Sequence, residues 1–174
     1  MKNRRARIVN QMPVAAVQAA ALNHPDLAMR RLCLFLLDHY ASDASWNTFR
    51  QALRDPVASV REIAVHGLSC ERCRSESLCV ADVVADLVDI LTSDASAEVR
   101  HKTVILLARF VGRDARAGKA IARASIEDPD SAIRHVARGI VEPGQPQGPV
   151  LRRKRALRAV RRERRWHSAL GAHD

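Results

Sequence analysis

At 174 residues, with 47% hydrophobic and 28% charged side chains, the chain can bury one core and is too apolar for wholesale disorder. Aromatics make up only 3%, and with seven glycines and no hairpin dipeptide the composition reads all-helical. The net charge of +10 is segregated: residues 1–7 carry four bases and no acid, residues 8–150 carry 16 bases and 17 acids, and residues 151–174 carry nine bases and two acids.

Val14 to Leu22 is an Ala-rich apolar stretch that reads as the opening helix. It is too short for the apolar region of a signal peptide, and nowhere does the chain approach the roughly 20 apolar residues of a membrane span. A cytoplasmic location is therefore expected, with the four cysteines as thiols or metal ligands rather than disulfides.

A pattern then recurs along the chain. A turn at Pro25, Pro56, Ala95 and Pro129 is followed five residues later by Arg30, Arg61, Arg100 and Arg134, each preceded by an apolar residue (Met29, Val60, Val99, Ile133). An acid sits beside each turn, at Asp26, Asp55, Asp94 and Asp128. Three residues past each Arg comes a small side chain (Cys33, Ala64, Thr103, Ala137), and seven past it an aliphatic one (Leu37, Leu68, Leu107, Val141). Small and aliphatic positions four apart share one helix face, so each turn should open a helix that packs closely on a neighbour. Asp or Pro at the turn should cap and start that helix. Between the turns, Trp46, Phe49 and Leu53 mark another helix. Val83, Val84, Leu87, Ile90 and Leu91 form an apolar stripe opposite Asp82, Asp86 and Asp89, and Ala115 to Ile126 forms a weaker, Ala-rich helix. Pro143 to Pro149 cannot propagate a helix and reads as a spacer.

The Asp55, Pro56, Val60, Arg61, Ala64, Leu68 series resembles the second helix of the HEAT-repeat family, and the other three turns follow it with substitutions. The resemblance covers roughly residues 12–142. It implies an α-solenoid of about four helical hairpins over residues 1–142, then the linker 143–149 and a basic tail, 150–174. It specifies fold and hardly any function; the near-neutral body with segregated cationic ends is what suggests a binding protein, or scaffold, rather than an enzyme. Within HEAT-like folds, alkylpurine DNA glycosylases supply an enzymatic alternative. They need a carboxylate and aromatics lining a basic groove, and here only Asp38 near Tyr40 and Trp46 answers to that. No Gly-rich phosphate loop, nucleophile elbow or His-Glu-x-x-His is present.

The longest turn-to-turn interval holds His66, Cys70, Cys73 and Cys79, spaced H-x3-C-x2-C-x5-C. Zinc favours four N and S ligands, and Cys-x2-Cys is a common half-site, so structural zinc is one reading. Inert thiols with a packed His66, and a Cys70–Cys73 redox pair, are the others. Three thiolates and an imidazole would close the site to substrate.

In the tail, Arg152, Arg153, Lys154, Arg155, Arg158, Arg161, Arg162, Arg164 and Arg165 fall within fourteen residues. Against phosphates such a run releases counterions and gives salt-sensitive, sequence-independent affinity for DNA or RNA. An acidic protein surface, an anionic membrane or a merely solvated tail are the competing readings.

Overall fold

A computed structural model describes residues 12–40, 43–69 and 80–142 of the chain. The described residues contain eight α-helices and no strand. They are α1 (Val14–Asn23), α2 (Leu27–Tyr40), α3 (Trp46–Ala52), α4 (Ala58–Ser69), α5 (Val80–Ser93), α6 (Ala97–Leu107), α7 (Ala115–Glu127) and α8 (Ser131–Val141). Two 3-10 turns, Asp43–Ser45 and Ala108–Phe110, accompany α3 and α6. The chain divides into two units, Met1–Val141 and Glu142–Asp174, and all eight helices lie in the first.

The helices are paired in chain order: α1 packs on α2, α3 on α4, α5 on α6 and α7 on α8. Even-numbered helices then contact one another in series, α2 with α4, α4 with α6 and α6 with α8. Odd-numbered ones meet as α1 with α3 and α5 with α7. Between α3 and α5, Arg50 reaches Asp86 at 2.8 Å.

The expected inward positions are inward. Cys33, Ala64, Thr103 and Ala137 are buried, as are Leu37, Leu68 and Leu107, while Val141 is half-buried against the core. All five residues of the α5 stripe are buried, with Asp86 half-buried and Asp89 exposed. Of the apolar residues preceding each Arg, Val60, Val99 and Ile133 are buried and Met29 is exposed. The reason is position, because α2 is the first helix of its row among the described residues and lacks a neighbour on that side.

The helices stop where sequence says they must. His24 precedes Pro25 and Asp128 precedes Pro129, and both adopt extended ψ values of 133°, as steric conflict with the proline ring demands. Each turn is closed by a side-chain acceptor. The carboxylates of Asp55, Asp94 and Asp128 each accept the amide two residues on (Val57, Ser96, Asp130) at 2.8 Å. At the equivalent place in the first turn, His24 Nδ1 accepts the Asp26 amide at 3.1 Å. An imidazole thus stands in for the carboxylate, which accounts for the looser match of that turn. Asp26 itself accepts from Ala28 one step further on, as Asp130 does from Ala132.

The four arginines lock the turns together. Each folds back onto its own turn, donating to the carbonyls six and five residues earlier: Arg30 to His24 and Pro25, Arg61 to Asp55 and Pro56, Arg100 to Asp94 and Ala95, and Arg134 to Asp128 and Pro129. Three of them also reach forward to the carboxylate of the next turn. Arg30 holds Asp55 at 2.9 and 3.3 Å, Arg61 holds Asp94 at 2.7 and 2.8 Å, and Arg100 holds Asp128 at 2.9 and 3.0 Å. The two-pronged geometry is the strong form of the Arg–carboxylate pair. Every shared Asp therefore serves two masters: it closes its own turn and anchors the preceding Arg.

Candidate functional site

Away from the ladder, one group of chemically capable side chains is brought together across two helices. Asp38, near the end of α2, is buried, with a side chain 3% exposed. Its Oδ2 lies 3.6 Å from His39 Nδ1 on the same helix and 3.6 Å from His66 Nε2 on α4. Both imidazoles are half-buried, at 31% and 32% side-chain exposure. The α2–α4 contact aligns the last turn of one helix with the last turn of the other, and so sets this meeting.

His39 is further fixed by its own helix. Its Nδ1 lies 3.1 Å from the Phe35 carbonyl, and its ring stacks on Phe35 at 4.0 Å between centroids. Asp38 and His66 meet across α2 and α4, whereas His39 lies on the same helix as Asp38. With so little exposure, the Asp38 carboxylate meets these two rings rather than open solvent.

Of the four residues read as metal ligands, His66 is described, and its Nε2 is directed to Asp38. Cys70, Cys73 and Cys79 lie outside the described residues, as do the tail cations from Arg152 to Arg165. Among the described residues, no group of three or more His, Cys, Asp or Glu is arranged to hold a metal ion. The remaining cysteine, Cys33, is free and buried in α2, and burial pushes its thiol up from the ordinary range, as expected of a packed rather than a reactive thiol. Ser69, the final residue of α4, has its carbonyl taken by Arg109 Nη1 at 3.2 Å, a charged C-terminal cap from forty residues away.

The even-numbered helices carry a second set of residues. Histidines recur, one per helix, at His39, His66, His101 and His135, and large apolar side chains are exposed at Met29 and Leu32 on α2 and Ile105 on α6. Sequence reading singled out Asp38 and His66 separately. Their pairing was not visible, because it depends on the register between two helices and not on spacing along either.

Compared with family models, with curated proteins and with solved structures, the chain finds no match. No helix among the described residues is long and apolar enough to cross a membrane. The class established is thus an all-helical protein of sequentially packed helix pairs.

Proposed function

We propose that the chain is a non-enzymatic adaptor of the HEAT-repeat type. About four helical hairpins form a short α-solenoid that docks a macromolecular partner, and the Arg-rich tail contacts nucleic acid. The observation that carries the reading is the ladder: the same Arg folds onto its own turn and, three times, pairs with the next Asp, as stacked equivalent units require. The exposed apolar Leu32 and Ile105 on the even-numbered helices supply surface of the kind that a protein partner covers. For the glycosylase-type alternative, a carboxylate must reach the substrate. The enclosure of Asp38 between two imidazoles favours the adaptor.

The nucleic-acid half rests on the nine cations of residues 151–174. It is tested by titrating labelled DNA and RNA against the full-length protein and a variant in which Arg152, Arg153, Lys154 and Arg155 are Gln. Wild type should bind with a steep salt dependence, and each phosphate contact removed should flatten the slope of log K against log salt by about 0.9. Equal binding by both proteins would remove the tail from the account. Release of a base from methylated DNA would replace the adaptor by the enzyme.

The cysteine segment extends this reading. His66, Cys70, Cys73 and Cys79 would hold zinc as a closed structural site, supplying stability and no chemistry. The fit rests on His66, whose Nε2 faces the Asp38 carboxylate; with Nδ1 on the metal this would be the carboxylate–imidazole–metal order common around zinc. Metal analysis of protein purified without chelator should return about one zinc per chain. A metal-free protein whose melting is indifferent to added zinc would return His66 to a purely packing role.

A further inference from the structure

Summed over the body, the charges nearly cancel, but they do not cancel in place. Asp55, Asp94 and Asp128 are consumed inside the ladder, and Asp86 is engaged by Arg50. The cations of α7 are placed differently. Its inner face is Ala117, Ala120, Ile121 and Ala124, all buried against the core, and its outer face carries Arg116, Lys119 and Arg123. Steps of three and four put these three on one side of the helix, and all are exposed, Arg116 and Arg123 at 49% and 56% of the side chain. Arg113, also exposed, stands in the turn just before.

Two acids moderate this ridge. Asp114, the N-cap of α7, takes Arg116 at 2.7 Å, and Glu127 approaches Arg123 at 3.6 Å with both groups in solvent, a pair of little strength. Across residues 109–127 the count is still five bases to two acids. Ala115, Gly118 and Ala122 lie between the cations, while the exposed Val111 borders Gly118 and the exposed Ile126 stands one turn beyond Arg123. At a rise of 1.5 Å per residue, Arg116 to Lys119 to Arg123 covers about 10 Å, close to three nucleotide steps of duplex at 3.4 Å each. The ridge carries no aromatic side chain, so it is suited to the phosphate backbone and not to stacking on bases.

We propose that the outer face of α7 is a second, sequence-independent nucleic-acid contact, in which Arg116, Lys119 and Arg123 grip the phosphate backbone. The inference rests on the reading that this protein binds nucleic acid, and it adds a site within the helical unit to the one assigned to the tail. The test uses full-length protein and a fluorescein-labelled DNA duplex of about 20 base pairs, with log K measured against log salt. Three proteins are compared: wild type, the Arg116→Gln/Lys119→Gln/Arg123→Gln variant and the tail variant described above. The triple variant should melt like wild type, since its side chains are exposed, yet bind about tenfold or more weakly with a slope reduced by roughly 2–3. The tail variant should lose affinity separately and retain the contribution of the ridge. Wild-type binding by the triple variant, with loss confined to the tail variant, would overturn the ridge and leave the tail reading intact. Absence of binding by wild type at low salt would overturn both. Wild type binding polyglutamate as tightly as duplex, with the triple variant losing both equally, would make the face a contact for acidic protein and overturn the nucleic-acid assignment.

Discussion

Replacing Arg100 with Ala is expected to remove about 3–5 kcal/mol of unfolding free energy, because it leaves a buried carboxylate without its counter-charge. The pair is the most enclosed of the three in the ladder, with side chains 8% and 3% exposed. Arg100 also satisfies the Asp94 and Ala95 carbonyls, so one truncation disturbs two adjacent turns. Urea denaturation reads the effect, and a loss below about 1 kcal/mol at unchanged m would show that the pair behaves as a solvated surface bridge. The double variant Arg100→Met/Asp128→Leu should recover part of the loss, since removing both charges also removes the burial penalty. It cannot recover all of it, because the turn carbonyls and the Asp130 amide lose their partners too.

The same pairs set the response to acid. Burial pushes the carboxyls of Asp94 and Asp128 up, but hydrogen bonds from Arg61 or Arg100 and from the amides of Ser96 or Asp130 outweigh it and hold both below the usual value. A carboxyl lowered in the folded state contributes stability that is fully present above its unfolded value of about 3.9 and is lost as pH falls through the folded value. Stability should therefore drop below about pH 4, and Asp128→Asn should flatten that limb while lowering stability at neutral pH.

Phe49→Ala is expected to cost about 3–5 kcal/mol, from lost burial and the void left behind. The ring is fully buried in α3 and lies directly over Gly67 of α4. A Cβ on Gly67 would fall 2.3 Å from Phe49 Cε1 and 2.5 Å from Cδ1, well inside contact distance. Gly67→Ala should thus cost about 1–3 kcal/mol by overpacking. Combined, Phe49→Ala/Gly67→Ala should cost less than the sum, because the added methyl enters the space the ring vacates. Strict additivity in chemical denaturation would show that the two side chains do not share that space. The glycine here answers to a neighbour: it lies within the last turn of α4, and the close approach of the Phe49 ring leaves no room for a Cβ.

Much of this was legible because helix periodicity writes burial directly into sequence. The small and aliphatic residues at fixed offsets from Arg30, Arg61 and Arg100 all lie inward, and the prolines mark where helices stop. What periodicity cannot express is which equivalent position touches which. The acids beside the turns were readable as turn-forming residues, though Asp55, Asp94 and Asp128 bond amides just ahead of the helices; their second role required knowing that each Arg reaches the next turn, 25, 33 or 28 residues ahead. Asp38 and His66 were hidden for the same reason. The ridge on α7 was lost to arithmetic, since a charge summed over a whole segment erases its distribution around a helix. Cys70, Cys73, Cys79 and the tail lie outside the described residues, and their chemistry is carried by sequence alone.

The dual use of the shared aspartates has a bearing on how such a chain could change over evolutionary time. A helix pair bearing both its own Arg and its own Asp carries a socket for the pair before it and a plug for the pair after it. Duplicating or deleting a whole pair would leave every remaining plug matched to a socket, so length could change in one event without a compensating mutation. A single-residue insertion between an Asp and its Arg would instead mismatch two junctions at once. The first turn breaks the rule, because His24 offers an imidazole where the others offer a carboxylate. A pair added ahead of α2 would find nothing there to receive its guanidinium in the same way, whereas one added between α2 and α8 would fit at once.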